Sequence, residues 1–177
     1  MIGADVGVFA DAIEFVVDER TLILEKTWEH LKLSGAAMAV ALVAALPLGV
    51  WLGHLHRGSF VAINVANIGR ALPSLAVIAI GIAFLGIGFT NVTFALVVLA
   101  VPPILTNAYV AVDGVEPDAV EAARGMGMTR TQILLRVEIP LALPLIFAGI
   151  RTAVVFVVAT ATIAAVDYRS VSFWLGD

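Results

Sequence analysis

"LSGAAMAVALVAALPLGVWLG", residues Leu33 to Gly53, carries no charged side chain. As a helix it is long enough to cross a hydrocarbon core of about 30 Å. Its many Gly, Ala and Ser residues would let a neighbouring helix come close in lipid. The same character recurs further on. Ala71 to Val112 is also free of charge, and hydrophobic residues make up 61% of the chain against 14% charged. Mean hydropathy is +1.04. A soluble domain is about half apolar and a quarter charged, so this chain has too little polar surface to cover so much apolar helix. The expected fold class is all-α, a polytopic helical bundle in a lipid bilayer.

Other bulk features exclude rather than assign. A net charge of −4 supplies no basic stripe for nucleic acid. With no cysteine, disulfides and thiolate metal sites are ruled out. The start, "MIGADVGVFADAIEFVVDER", lacks the positive lead and long apolar core of a cleavable signal peptide, and is expected to be retained. Residues 1–32 read as an amphipathic, extracytoplasmic segment.

Four spans are expected, over about 33–53, 60–85, 92–112 and 139–166. Trp28 and Trp51 lie about 35 Å apart on a helix, the separation of two interfacial anchors. His54 and His56 in the turn "HLHRGS" have no adjacent carboxylate or cysteine, which favours interfacial polar residues over a metal site. The second span is expected to kink near Pro73. "LGIGFTN" (Leu85–Asn91) carries the Gly, Thr and Asn of a turn, separating it from the third. Pro102 and Pro103 interrupt that third span and free backbone carbonyls, which must be packed in protein or line a cavity. After Val166 the stretch "DYRSVSFWLGD", residues 167–177, reads as a short polar tail, either native or truncated. Arg57, Arg124, Arg130 and Arg136 fall in the loops assigned to the cytoplasm, in line with the positive-inside bias.

Between the last two spans lies a charged, glycine-punctuated segment, 115–138. Pro117 suits a first helical position, and Asp118 and Glu121 meet the positive end of a helix dipole. Val120 and Ala123 share a face with Val115 and Met126 at three-to-four spacing. Gly125 and Gly127 permit a sharp bend. Thr129 with Gln132 three residues later predicts a capping box and a new helix carrying Ile133, Leu134 and Val137. The segment is a helical elbow whose small residues suit docking by another protein.

Glu121-Ala122-Ala123, three residues to Gly127, nine more to Val137, then Ile139-Pro140, resembles the EAA loop of type I ATP-binding-cassette importer permeases. Val137 stands for the family's isoleucine and Ile139 for its leucine. "ALPSLAVIAIGIAFLGIG" and "PPILTNAYVAVDGVEPDAVEAARGMGMT" resemble the osmoprotectant branch, which imports glycine betaine, carnitine, choline or proline-type solutes. The resemblance implies a multi-pass permease of the bacterial cytoplasmic (inner) membrane that performs no covalent chemistry. It implies a cytoplasmic coupling helix in which Glu121, Ala122, Ala123, Gly125 and Gly127 meet a separate ATPase subunit. It also implies an extracytoplasmic solute-binding protein and a second permease chain, identical or a sister. No phosphate-binding G-x-x-x-x-G-K-[ST] loop occurs, so ATP would be bound by the partner and the chain itself needs no cofactor. The family continues with a glycine-rich turn and at least one more helix beyond the stretch present here.

Arg70, Pro73, Pro102, Pro103, Asn107 and Arg151 are the polar and hinge residues inside the expected spans. An intramembrane arginine faces the bundle interior, a cavity or a polar partner. Bonding freed carbonyls, or reaching an interface, explains Arg70 and Arg151 more simply than contact with a cationic solute. The aromatic residues form no cage for a quaternary ammonium, and no substrate-binding residue stands out. An ATP-independent channel or secondary carrier, or a non-transporting truncated permease fragment, are the alternatives. The first leaves the elbow unexplained.

Overall fold

The structure, a computed structural model, describes the backbone of residues 14–71, 73–86 and 88–175; the side chains of 70, 74, 75 and 163–175 lie outside the described residues. Residues 14–18 are helical, and after them seven α-helices and one π-helical turn follow one another without an intervening strand among the described residues. They are α1 (Arg20–His54), α2 (Ser59–Ala71), α3 (Ser74–Leu85), α4 (Phe89–Asp113), α5 (Pro117–Gly125), α6 (Arg130–Ile133), the π-helical turn Leu134–Glu138, and α7 (Ile139–Leu175). By length and composition three stretches can cross a bilayer alone: Arg20–His54, Phe89–Asp113 and Arg130–Thr162.

Helix boundaries depart from expectation in four places. The helix containing 33–53 begins by Arg20, so residues 20–32 are not a separate segment. "RTLILEKTWEHLK" contains no Gly or Pro to stop it. Lys26 Nζ donates to Glu29 Oε2 at 2.8 Å, and Lys32 lies 5.3 Å from the Trp28 ring centre. The expected second span over 60–85 is two helices, because Pro73 caps α3 in an extended conformation, with φ −66° and ψ 125°. A proline lacks the N–H that would have continued α2. The third helix, expected over 92–112, runs from Phe89 to Asp113. The last one starts by Arg130 and, instead of ending at 166, remains helical through Leu175; residues 176–177 lie outside the described residues, as do 1–13.

The bundle is organised around α4, which packs against α1, α2, α3 and α7. The face α1 offers it is almost bare: Ser34, Ala37, Ala41, Ala45, Gly49 and Gly53 are its buried residues. That three-then-four spacing is a small-residue stripe, the means by which helices associate in lipid without a hydrophobic driving force. At Gly49 a Cβ would sit 2.6 Å from the Leu105 carbonyl oxygen and 2.8 Å from Ala108 Cβ, so only glycine fits. From α4, Leu96, Ile104 and Leu105 fill the core that the stripe leaves open. Large apolar residues such as Val43, Phe84 and Val155 point outward. A soluble fold would bury them; a bilayer solvates them.

Candidate functional site

The segment 115–138 forms an elbow between α4 and α7. Pro117 opens α5 at the first turn, Asp118 follows it, and Arg124 lies in the last turn, each charge complementing the helix dipole. Ala123 is 1% exposed and Val115 9%, while Val120 packs with Ala108, Val112, Ala142 and Ile146 at the base of α4 and α7. Met126 does not share that face. It is 76% exposed, because α5 has ended at Gly125 and the chain has already begun to turn.

The turn is a Schellman motif. Met128 N–H donates to the Ala123 carbonyl at 3.2 Å and Gly127 N–H to the Arg124 carbonyl at 3.0 Å. Gly127 takes the left-handed conformation this requires, with φ +80°. Thr129 then caps α6 reciprocally: Gln132 N–H donates to Thr129 Oγ1 at 3.3 Å, and Thr129 N–H to Gln132 Oε1 at 2.8 Å. These are the partners that the Thr129–Gln132 spacing predicts. Glu121, Ala122, Gly125 and Gly127 are exposed, and nothing lies within 4 Å of a Cβ built at Gly125 or Gly127. The elbow therefore presents a bare tip on an anchored base.

Below the tip, α6 lasts one turn before the backbone widens over Leu134–Glu138. Pro140 follows and leaves the Arg136 carbonyl without its α-helical donor, while Ile139 N–H reaches back five residues to the Leu134 carbonyl. The widened turn carries Glu138 inward, to 2% exposure. There Nδ1 of His54, the last residue of α1, donates to Glu138 Oε2 at 2.6 Å. Two residues on, His56 Nδ1 donates to Asp113 Oδ1, at the end of α4, at 3.0 Å; both of these side chains are more open to solvent. The two histidines of the first turn thus tie the bases of α7 and α4 to α1. Sequence reasoning missed both ties. The only signal is that two histidines fall in a turn assigned to the same membrane face as the elbow.

Deeper in the bundle, α2, α4 and α7 border an open-sided cavity of about 500 Å³. Pro102, Pro103 and Asn107 all line it, so three of the six intramembrane residues come together. Gly69 of α2 also lines it, seated so closely on the Pro102 ring that a Cβ would overlap it. Pro73 stands apart at the start of α3. Arg151 is exposed on α7, and no hydrogen bond or ion pair joins it to a described residue. It does not bond the carbonyls that the prolines free. The Arg70 side chain lies outside the described residues. No group of three His, Cys, Asp or Glu residues with metal-binding geometry occurs among the described residues.

Comparison with known proteins gives consistent relatives. Residues 45–166 match the family described as "Binding-protein-dependent transport system inner membrane component". The chain is 41% identical over 142 residues to the glycine betaine/carnitine/choline transport system permease protein OpuCB of Bacillus subtilis, covering 80% of this chain and 65% of that protein. It is 38% identical over 152 residues to the choline transport system permease protein OpuBB of Bacillus subtilis, covering 86% and 70%. Against the osmoprotectant import permease protein OsmW of Salmonella typhimurium it is 35% identical over 166 residues, covering 88% and 75%. The chain thus spans roughly two thirds to three quarters of the length of these relatives.

Proposed function

The chain belongs to the family of binding-protein-dependent transport system inner membrane components, whose members are permeases rather than enzymes, and from that premise we propose that it is the membrane subunit of an ATP-driven importer of compatible solutes. Glycine betaine, carnitine and choline are the candidate solutes, because the relatives are named for them. The elbow 115–138 is the contact with a separate ATPase subunit, a solute-binding protein delivers solute from outside, and a second permease chain completes the path. ATP is bound by the ATPase. The membrane is the bacterial inner membrane, a reading supported by the words "inner membrane component" in the family description and by three described helices of spanning length.

One observation carries this reading: Gly125, Met126 and Gly127 stand exposed at the tip of an elbow whose base is rigidly packed. A surface linker needs neither a Schellman turn nor a reciprocal cap, and gains nothing from a buried Glu138–His54 tie into α1. A lever needs all three. Displacement at the tip passes through the π-helical turn to α7, and through the tie to α1 at the same moment.

The test is reconstitution into proteoliposomes with its ATPase and solute-binding protein, followed by uptake of radiolabelled glycine betaine or choline. The expected result is accumulation that requires ATP on the ATPase side. Accumulation without ATP, following an ion or solute gradient, would instead identify a channel or secondary carrier and refute the proposal.

A further inference from the structure

The cavity between α2, α4 and α7 has a wall of one chemical kind. Among the described residues, which leave out the Arg70 side chain, no ionisable side chain lines it. Three of its polar residues turn a donor onto a backbone carbonyl. Thr106 Oγ1 donates to Ala62 O at 3.5 Å, Asn107 Nδ2 to Pro103 O at 2.8 Å, and Thr152 Oγ1 to Ala148 O at 2.9 Å. What these two hydroxyls and the amide oxygen retain is lone pairs, while the Asn107 amide keeps one further N–H. The tandem prolines add one more acceptor. The Leu99 carbonyl would be served by the N–H of residue 103 in an α-helix or 102 in a tighter turn, and both are proline. Leu99 itself lines the cavity.

Phe156 and Thr160, the latter 7% exposed, also line the wall, with Ala66. The face of an aromatic ring carries negative quadrupole charge. Oxygen lone pairs and the Phe156 ring, bordered by low-dielectric helix, favour positive over negative charge in the space. An anion would find few donors and no positive charge among the described lining residues there. An ammonium carrying N–H groups would lose strong hydration on entry. A quaternary ammonium loses little, because its charge is spread over methyl groups and it has no donor to leave unmet. The volume is within the range of small-ligand sites. Arg151 precedes Thr152, but adjacent helical residues diverge by about 100°, and Arg151 is not among the lining residues.

We propose that this cavity is a membrane binding site for the quaternary ammonium head of the transported solute. The choice of solute rests on the permease reading above; the choice of head group rests on the wall. The bound head lies against Phe156 and the oxygens of Thr106, Asn107 and Thr152. Its recognition is deliberately weak, with one ring instead of a cage, as suits a site that must release what it binds.

The chain has no cysteine, so Thr152→Cys in the full chain, reconstituted in proteoliposomes, gives one reactive thiol in the wall. Its rate of modification by a small thiol reagent is measured with choline and with the uncharged carbon isostere of choline. Choline is expected to slow modification several-fold and the isostere to leave it unchanged. A control thiol at the exposed position Thr162 should respond to neither. Adding Phe156→Leu should raise the choline concentration needed by roughly three- to thirtyfold, the worth of one cation–ring contact. Equal protection by the isostere, or none by choline, would overturn the proposal. Vesicles carrying the parental chain with ATPase, binding protein and ATP, run beside the Thr152→Cys protection assay, separate the two readings. ATP-driven uptake without protection defeats the site and leaves the permease standing. Choline-specific protection without uptake upholds the site and counts against the permease.

Discussion

Gly49 and Gly127 are the same residue used for opposite reasons. Gly49 is buried in the α1–α4 seam, where the Leu105 backbone stands 2.6 Å from the place a Cβ would take. Gly127 is exposed at the elbow tip with nothing within 4 Å, and is needed for its positive φ. The seam is small so that the protein can touch itself. The tip is small with nothing in this chain to touch. That contrast divides the molecule into a part whose residues answer to folding and a part whose residues answer to an external partner, and substitutions should sort accordingly.

The seam should give the largest loss of stability. Gly49→Leu forces side-chain atoms into the α4 backbone, which cannot relax without parting the helices, and should cost at least about 3 kcal/mol. Unfolding in a denaturing-detergent titration measures it, and a midpoint equal to that of the parent would show that the seam is looser than its geometry implies. Next comes the tie that joins the two parts. Glu138→Leu leaves the His54 ring without a buried acceptor and should cost about 1–3 kcal/mol. Glu138→Gln, which can still accept, should recover much of this. If both variants unfold alike, the carboxylate oxygen is not what holds α1 to the elbow. Thr129→Ala removes one half of the capping box and should cost about 1 kcal/mol. Native-state hydrogen exchange would register it as faster opening of the α6 amides, with the α1–α4 core unaffected.

Legibility in the sequence followed the range of the interactions. The capping box, Pro117 at the start of α5 and the bend at Gly127 are set by neighbours within five residues, and they read directly from spacing. Helix existence was legible from hydropathy, but extent was not. Nothing in a uniformly apolar or helix-favouring run marks where a helix stops, so α1 reached back to Arg20 and α7 forward to Leu175. Pro73 marked a disturbance correctly, but whether a proline kinks or breaks a helix depends on what packs around it. Met126 was misplaced because a helical period was carried one residue past the helix end. The His54–Glu138 tie was out of reach. Its partners are 84 residues apart, and Glu138 turns inward only because Pro140 favours a π-helical turn before it. The cavity was half legible: Pro102, Pro103 and Asn107 stood out, while Phe156 looked like one of many scattered aromatics until α7 packed against α4.

Gly125 offers the most direct test of the elbow as a docking lever. It ends α5 in ordinary helical geometry, it is exposed, and nothing lies within 4 Å of a Cβ placed there. A side chain at Gly125 therefore strains no backbone and leaves the chain from an open position. Replacing a helical glycine should even stabilise the isolated chain slightly, by less than about 1 kcal/mol. The bulk would be felt only by a partner. The decisive measurement is ATP hydrolysis and solute uptake by the reconstituted Gly125→Trp transporter, alongside the unfolding midpoint of the variant chain. The expected result is an unchanged or slightly raised midpoint, with solute-stimulated hydrolysis and uptake both reduced at least tenfold, the loss that about 1.4 kcal/mol of contact energy would cause. Parental uptake by a stably folded Gly125→Trp variant would show that no ATPase sits on this tip, and would contradict the division between a self-packed seam and a partner-facing elbow.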